Sequence, residues 1–171
     1  RKLDDDANIL LRFDNGAKGV LHNSQICNGE ENDLNIRVYG EFGGLKWRQM
    51  EPNTLELTNQ ENGSHIIRTG VGNLSAQAAA HTRQPAGHPE GYVETFANIY
   101  RNFAYALRAR WGNSSATAAV GNLGNDHTIS GQYNPEIHDF PGIEEGMRGM
   151  GFIQTVIKSN NSDQKWTKFE I

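Results

Sequence analysis

Apolar and polar residues alternate through the first seventy positions, which predicts β-structure. "ANILLRF" sets Ile9, Leu11 and Phe13 on one side and Asn8 and Arg12 on the other, with Leu10 as the irregularity. "DNG" at Asp14 to Gly16 predicts a tight hairpin turn, because Asn and Gly tolerate positive φ. "KGVLHNSQIC" reads as the returning strand. "LNIRVYGE" directs Leu34, Ile36 and Val38 inward and Asn35, Arg37 and Tyr39 outward, and Gly43-Gly44 is expected to turn the chain into "LKWRQM". "TLELTN" then pairs with "SHIIRT" across Glu61-Asn62-Gly63. The connections are short, so the pairing is antiparallel, a meander of five or six strands.

Beyond residue 70 the period changes. Residues 70–91, rich in Gly, Ser, Ala and His, read as a long loop. Tyr92, Phe96, Ile99, Tyr100, Phe103 and Leu107 then form one apolar stripe at helical spacing. Glu90 and Glu94 at its start and Arg108 and Arg110 at its end suit the helix dipole, and Gly112 is a plausible stop. After a second loop over 112–139, a helix is expected from Asp139-Phe140-Pro141, with Ile143, Met147, Met150, Ile153 and Ile157 on its buried side. "KWTKFEI" reads as a final strand. Strands followed by helices predict an α+β fold: an open, predominantly antiparallel sheet, with helices packed on one face, in a single domain over 1–171.

Composition narrows the function classes. A chain of 171 residues with 36% hydrophobic and 21% charged residues suits one soluble domain with its own core. Sixteen basic against twenty acidic residues, net −4, argue against a nucleic-acid partner. No apolar run approaches the ~20 residues of a membrane span. Cys27 is the one cysteine, which excludes an intrachain disulfide and points to a reducing, cytoplasmic setting; at a strand end it reads as a buried, inert thiol. The start at Arg1-Lys2-Leu3, without a signal-peptide pattern, reads as a piece of a longer polypeptide.

Candidate chemistry is sparse. "GVGNLS" lacks the third glycine of a dinucleotide fingerprint, and "GMRGMGF" falls inside a helix instead of before one. The histidines at 22, 65, 81, 88, 127 and 138 form no metal-ligand spacing. Ser24 lies on no nucleophile elbow. What remains is "RQPAGHPEGY", from Arg83 to Tyr92. Helix capping accounts for Pro89, Glu90 and Gly91 but leaves His88 and Arg83 unexplained. Arg, His and Glu together supply donors and acceptors for a hydroxyl-rich ligand.

Three stretches taken together resemble the C-terminal domain of the glucose–fructose oxidoreductase / inositol dehydrogenase / MocA family. They are "GEENDLNIRVYGEFGGLKWRQMEPNTLEL", "RQPAGHPEGYVETFANIYRNFAYAL" and "FPGIEEGMRGMGFIQTVIKSNNSDQKW". The resemblance implies a two-domain enzyme whose N-terminal Rossmann domain carries NAD or NADP. That enzyme would transfer hydride to or from a sugar, inositol or related polyol. It implies also that the open sheet face joins subunits into dimers or tetramers, with Asn35, Arg37, Tyr39, Lys46 and Arg48 as candidates for that face. The family's glycine fingerprint, Glu-Lys-Pro lysine and Asp-x-x-x-His pair are not encoded here, so no catalytic, cofactor or metal residue is expected in this chain. His88, Arg83, Glu90 and Tyr92 are the expected substrate-binding residues. A non-catalytic carbohydrate- or protein-binding module is the alternative.

Overall fold

A computed structural model describes residues 4–111 and 133–171. The expected stop at Gly112, and most of the 112–139 loop, lie outside the described residues. The chain is α+β with antiparallel sheets, in two compact units: Arg1–Asn32 with Pro141–Ile171, and Asp33–Phe140.

In the first unit, β1 (Asp6–Arg12) and β2 (Lys18–Ser24) form a hairpin, paired from Asp6↔Ser24 to Arg12↔Lys18. Its turn is closed by Gly16 N–H donating to the Phe13 carbonyl at 2.9 Å, with Gly16 at φ 87° as the Asn-Gly pair predicts. Ile9 and Leu11 are half-buried and Leu10 is exposed, as the alternation predicts, whereas Phe13, expected on the side of Ile9 and Leu11, is exposed.

α3 (Ile143–Asn160) follows Gly142, the residue that caps its N-terminus, so Pro141 lies before the helix and outside its first turn. The expected buried side of α3 is not buried: Ile143, Met147, Met150, Ile153 and Ile157 are all exposed. The half-buried side carries Phe152, Thr155 and Val156 instead. The expected C-terminal strand is irregular chain with no ladder partner among the described residues. Side chains hold it in place: the Arg12 guanidinium lies 4.1 Å from the Trp166 ring centre, and the Phe169 ring approaches Gly151 so closely that a Cβ there would lie 3.4 Å from it.

The second unit holds a four-stranded antiparallel sheet in the order β3 (Asn35–Tyr39), β4 (Gly43–Arg48), β5 (Thr54–Asn59), β6 (Gly63–Arg68). The single meander expected from sequence is therefore two sheets. The Asn-, Gly- and Glu-rich stretch 25–34 separates them, and Cys27 within it is exposed, not buried. Gly43 and Gly44 are part of β4 and not a turn. A Cβ on Gly43 would fall 2.3 Å from the Thr58 carbonyl oxygen, so the β4–β5 ladder closes only over glycine. Leu34, Ile36 and Val38, expected inside, are exposed.

Two helices complete this unit: α1 (Ala76–His81) and α2 (Tyr92–Trp111). α1 lies inside the stretch expected to be all loop. Ser75 caps it, accepting from Ala78 N–H at 3.2 Å. Among the described residues, Ala80 is the only buried apolar side chain, beside buried Asn98, Asn102 and His138. The centre of this unit is thus polar, and the sizeable apolar core expected from chain length is not present among these residues.

The glycines give a paired test by thermal denaturation. Gly43→Ala should destabilise the protein by roughly 1–3 kcal/mol, the scale of a backbone clash in a ladder. Gly146→Ala, in α3 where no atom lies within 4 Å of an added Cβ, should be neutral or stabilising by up to about 1 kcal/mol.

Candidate functional site

The stretch from His81 to Tyr92 connects α1 to α2, and hydrogen bonds fix it at both ends and at its central turn. Its first part is tied to the inner side of α2. The Arg83 Nε donates to the Asn98 Oδ1 at 2.7 Å, and the Asn98 Nδ2 donates to the His81 carbonyl at 2.8 Å. One turn further along α2, the Asn102 Nδ2 donates to the His81 Nε2 at 2.8 Å and to the Asp139 carbonyl at 2.7 Å. The His81 Nδ1 faces the Gln77 carbonyl at 2.7 Å; since a carbonyl only accepts, Nδ1 carries the proton and Nε2 is the acceptor. Arg101 adds a 2.6 Å bond to the Ala80 carbonyl. His138 lies between the rings of Tyr105 and Tyr133, at 4.7 and 6.0 Å, and its Nδ1 accepts from Asn134 N–H.

The middle part is a tight turn, Pro85-Ala86-Gly87-His88. His88 N–H donates to the Pro85 carbonyl at 3.1 Å, and Gly87 has φ 89°, the positive value a type II turn needs at its third position. The His88 Nδ1 also meets the Pro85 carbonyl at 3.1 Å and so carries its proton there. In the neutral ring Nε2 is then an acceptor, and the side chain is exposed.

The last part leads into α2. Glu90 Oε1 accepts from the N–H groups of Arg83 at 2.7 Å and Gln84 at 2.5 Å. The Glu90 backbone pairs with the Asn53 side chain: its N–H donates to Oδ1 at 3.0 Å, and its carbonyl accepts from Nδ2 at 2.7 Å. Gly91 N–H donates to the Glu94 Oε2 at 2.9 Å, so Glu94 caps α2. Glu145 does the same for α3 through Gly142 N–H at 2.9 Å. Tyr92 is exposed, with its ring 4.8 Å from that of Phe96.

All four sequence-predicted residues therefore lie on one short connection. Their circumstances differ: His88 and Tyr92 present free ring edges, Arg83 is held by Asn98, and the Glu90 carboxylate turns back into the loop. Sequence reasoning missed Asn53, Asn98 and Asn102. The pair Asn98 and Asn102, four apart and thus on one helix face, was a usable signal. Asn53 had none. Among the described residues no three His, Cys, Asp or Glu side chains gather as a metal site requires, and no helix is long and apolar enough to cross a membrane.

The polar face of the four-stranded sheet is a second feature. Register places Arg37 beside Lys46 and Lys46 beside Glu56, with a 3.3 Å ion pair between the last two. Arg48 and Asp33 pair at 2.8 Å, and that bond with Asn35 holds the Asp33 carboxyl below its usual value. Tyr39 is exposed on the same face.

Comparison with known proteins adds to this geometry. A sequence model of the GFO/IDH/MocA C-terminal domain matches residues 1–46. An uncharacterized oxidoreductase of Bacillus subtilis, YfiI, is 30% identical over 169 residues, 98% of this chain and 38% of its own length. The crystal structure of an oxidoreductase from Sinorhizobium meliloti superposes with a TM-score of 0.81 at 37% identity, over 98% of this chain and 42% of that one. An inositol dehydrogenase homolog from Azotobacter vinelandii, solved with NADH and myo-inositol, superposes with a TM-score of 0.76 at 26% identity, over 94% of this chain and 38% of that one. The chain thus spans about two fifths of the length of these relatives.

The cap of α2 gives a pH test. The Gly91 N–H, then Glu94's own N–H, hold the Glu94 carboxyl below its ordinary 4.5. A lowered carboxylate contributes stability that is complete above the unfolded value and lost as pH falls through the folded one. Denaturation midpoints should therefore drop on acidification below about pH 4.5, and Glu94→Gln should flatten that slope relative to wild type.

Proposed function

Since the chain belongs to the GFO/IDH/MocA oxidoreductases as a C-terminal domain, we propose that it forms the substrate wall of an NAD(P)-dependent dehydrogenase. The substrate class is a sugar, inositol or related polyol. The observation that carries this reading is the Pro85–His88 turn, which holds an exposed imidazole with its acceptor nitrogen outward. A polyol hydroxyl can donate to that nitrogen. Tyr92 offers a phenol four residues further along the chain, and the Arg83 guanidinium a second donor group. The A. vinelandii homolog, solved with myo-inositol, supports the substrate class.

The dinucleotide belongs to the part of the enzyme that this chain does not span. A pyrophosphate needs free N–H groups at a helix N-terminus. At α2 and α3 the capping N–H groups are instead taken by Glu94 and Glu145, whose negative charges repel a phosphate. The described residues therefore do not fit the dinucleotide, and no hydride step is assigned to them. The N-terminal Rossmann domain is the proposed seat of NAD or NADP. The polar sheet face, with Asn35, Arg37, Tyr39, Lys46 and Arg48, is the proposed contact between subunits of a dimer or tetramer, and the cytoplasm the proposed compartment.

Steady-state kinetics of the full-length enzyme with NAD+ and a panel of polyols tests this. His88→Ala should raise KM or lower kcat by about tenfold, the scale of one lost hydroxyl contact. Wild-type kinetics in that variant removes His88 from the site. Calorimetry of the isolated 171-residue chain should detect no NADH binding; a bound stoichiometric coenzyme would overturn the assignment.

A further inference from the structure

We propose that Glu90 is a positioning residue that acts on the substrate through His88; this rests on the substrate-wall reading above. The reason lies in where its groups are directed. Its carboxylate oxygen is occupied by two loop amides, Arg83 and Gln84, at 2.7 and 2.5 Å. Its own backbone is matched on both sides by Asn53, in the β4–β5 connection. Residues 83–90 thus form a loop closed on itself by a charged side chain and fastened at that closure to the sheet. His88 lies inside the closed loop, two residues from the fastening point, and among the described residues its hydrogen bonds run to Pro85 within the same loop.

The physical consequence is preorganisation. Charge-assisted bonds to backbone N–H are stronger than neutral ones, and here both partners come from the loop itself. Opening the loop would free Arg83 and Gln84 and let the Pro85–His88 turn move as a whole. Misplacing a contacting group by about 1 Å can lower turnover as much as 100-fold, so a residue that never touches the substrate can still be required. Asn98 performs the corresponding task at the front of the loop, where it receives the Arg83 Nε. Glu90 and Asn98 therefore fix the two sides of one element.

The test uses the full-length enzyme with NAD+ and myo-inositol, with amide hydrogen exchange as the second readout. Glu90→Ala should speed exchange in residues 82–88 by at least about tenfold and lower kcat/KM by about tenfold or more, mainly through KM. Glu90→Gln, which keeps an acceptor oxygen, should recover most of both. In a His88→Ala background, Glu90→Ala should cost much less than it does alone, the remainder passing through Arg83, because Glu90 and His88 act in series. Additive losses would overturn the proposal and make Glu90 a direct substrate contact. Unchanged exchange in Glu90→Ala would overturn it as well. Gly87→Ala strains the same turn without removing a contact and should reproduce the KM effect; normal KM there also counts against it. Wild-type kinetics in His88→Ala alone would instead fell the substrate-wall reading, a result separable from the exchange outcome.

Discussion

Hydrogen bonding by α2's inner face sets the position of everything around the candidate site. A helix normally fastens its neighbours by burying apolar side chains. Here the fully buried side chain is Asn102, and Asn98 beside it is nearly so. Each carboxamide offers both donors and an acceptor, and each is used. Asn102 joins His81 to Asp139, and Asn98 joins the His81 carbonyl to Arg83. Apolar contacts are non-directional and tolerate sliding; a satisfied buried carboxamide does not, because any shift leaves a polar group without a partner. The result is a connection between α1 and α2 held in one register.

That register explains the chemistry the connection offers. Carbonyl groups fix which ring nitrogen donates in the two histidines nearest to it: His81 Nδ1 to Gln77 and His88 Nδ1 to Pro85. In His81 the remaining nitrogen is consumed by Asn102, so its function is structural. In His88 the remaining nitrogen is directed to solvent. One backbone device gives two outcomes, and the difference is whether α2 lies opposite the ring. The glutamates divide in the same way. Glu94 and Glu145 satisfy helix N-termini, while Glu90 satisfies the loop.

Much of the fold was legible because local chemistry dictates it. Asn15-Gly16 and Gly63 place two of the hairpin turns, and alternation places the strands between them. Glu94 near the start of α2 was legible as a charge effect, though its bond to Gly91 N–H was not. α1 escaped because six residues, four of them alanine, carry too little periodicity to separate from loop. The break between the two sheets escaped because alternation says which side a residue faces, not which strand it pairs with. Gly43-Gly44 was misread as a turn because the usual meaning of a glycine pair is conformational freedom. Its role here is absence of bulk beneath Thr58. The expected site residues share one contiguous stretch; Asn53, which reaches that stretch from the β4–β5 connection, depends on tertiary proximity that no local pattern encodes.

The apolar positions carry the last step. Periodicity located the stripes on α2 and α3 and the inner side of β3 by spacing alone, yet Tyr92, Tyr100, Ile36, Val38 and Met147 are exposed. Spacing records that a face is selected for burial, and the covering surface need not come from the same stretch of chain. A chain that spans two fifths of its relatives' length cannot be expected to supply every such surface itself. The polar network around α2 does not share this dependence, since each of its bonds closes within Asp33–Phe140. The connection that carries His88 is therefore built from interactions internal to one unit, whereas the apolar stripes lack a covering surface among the described residues.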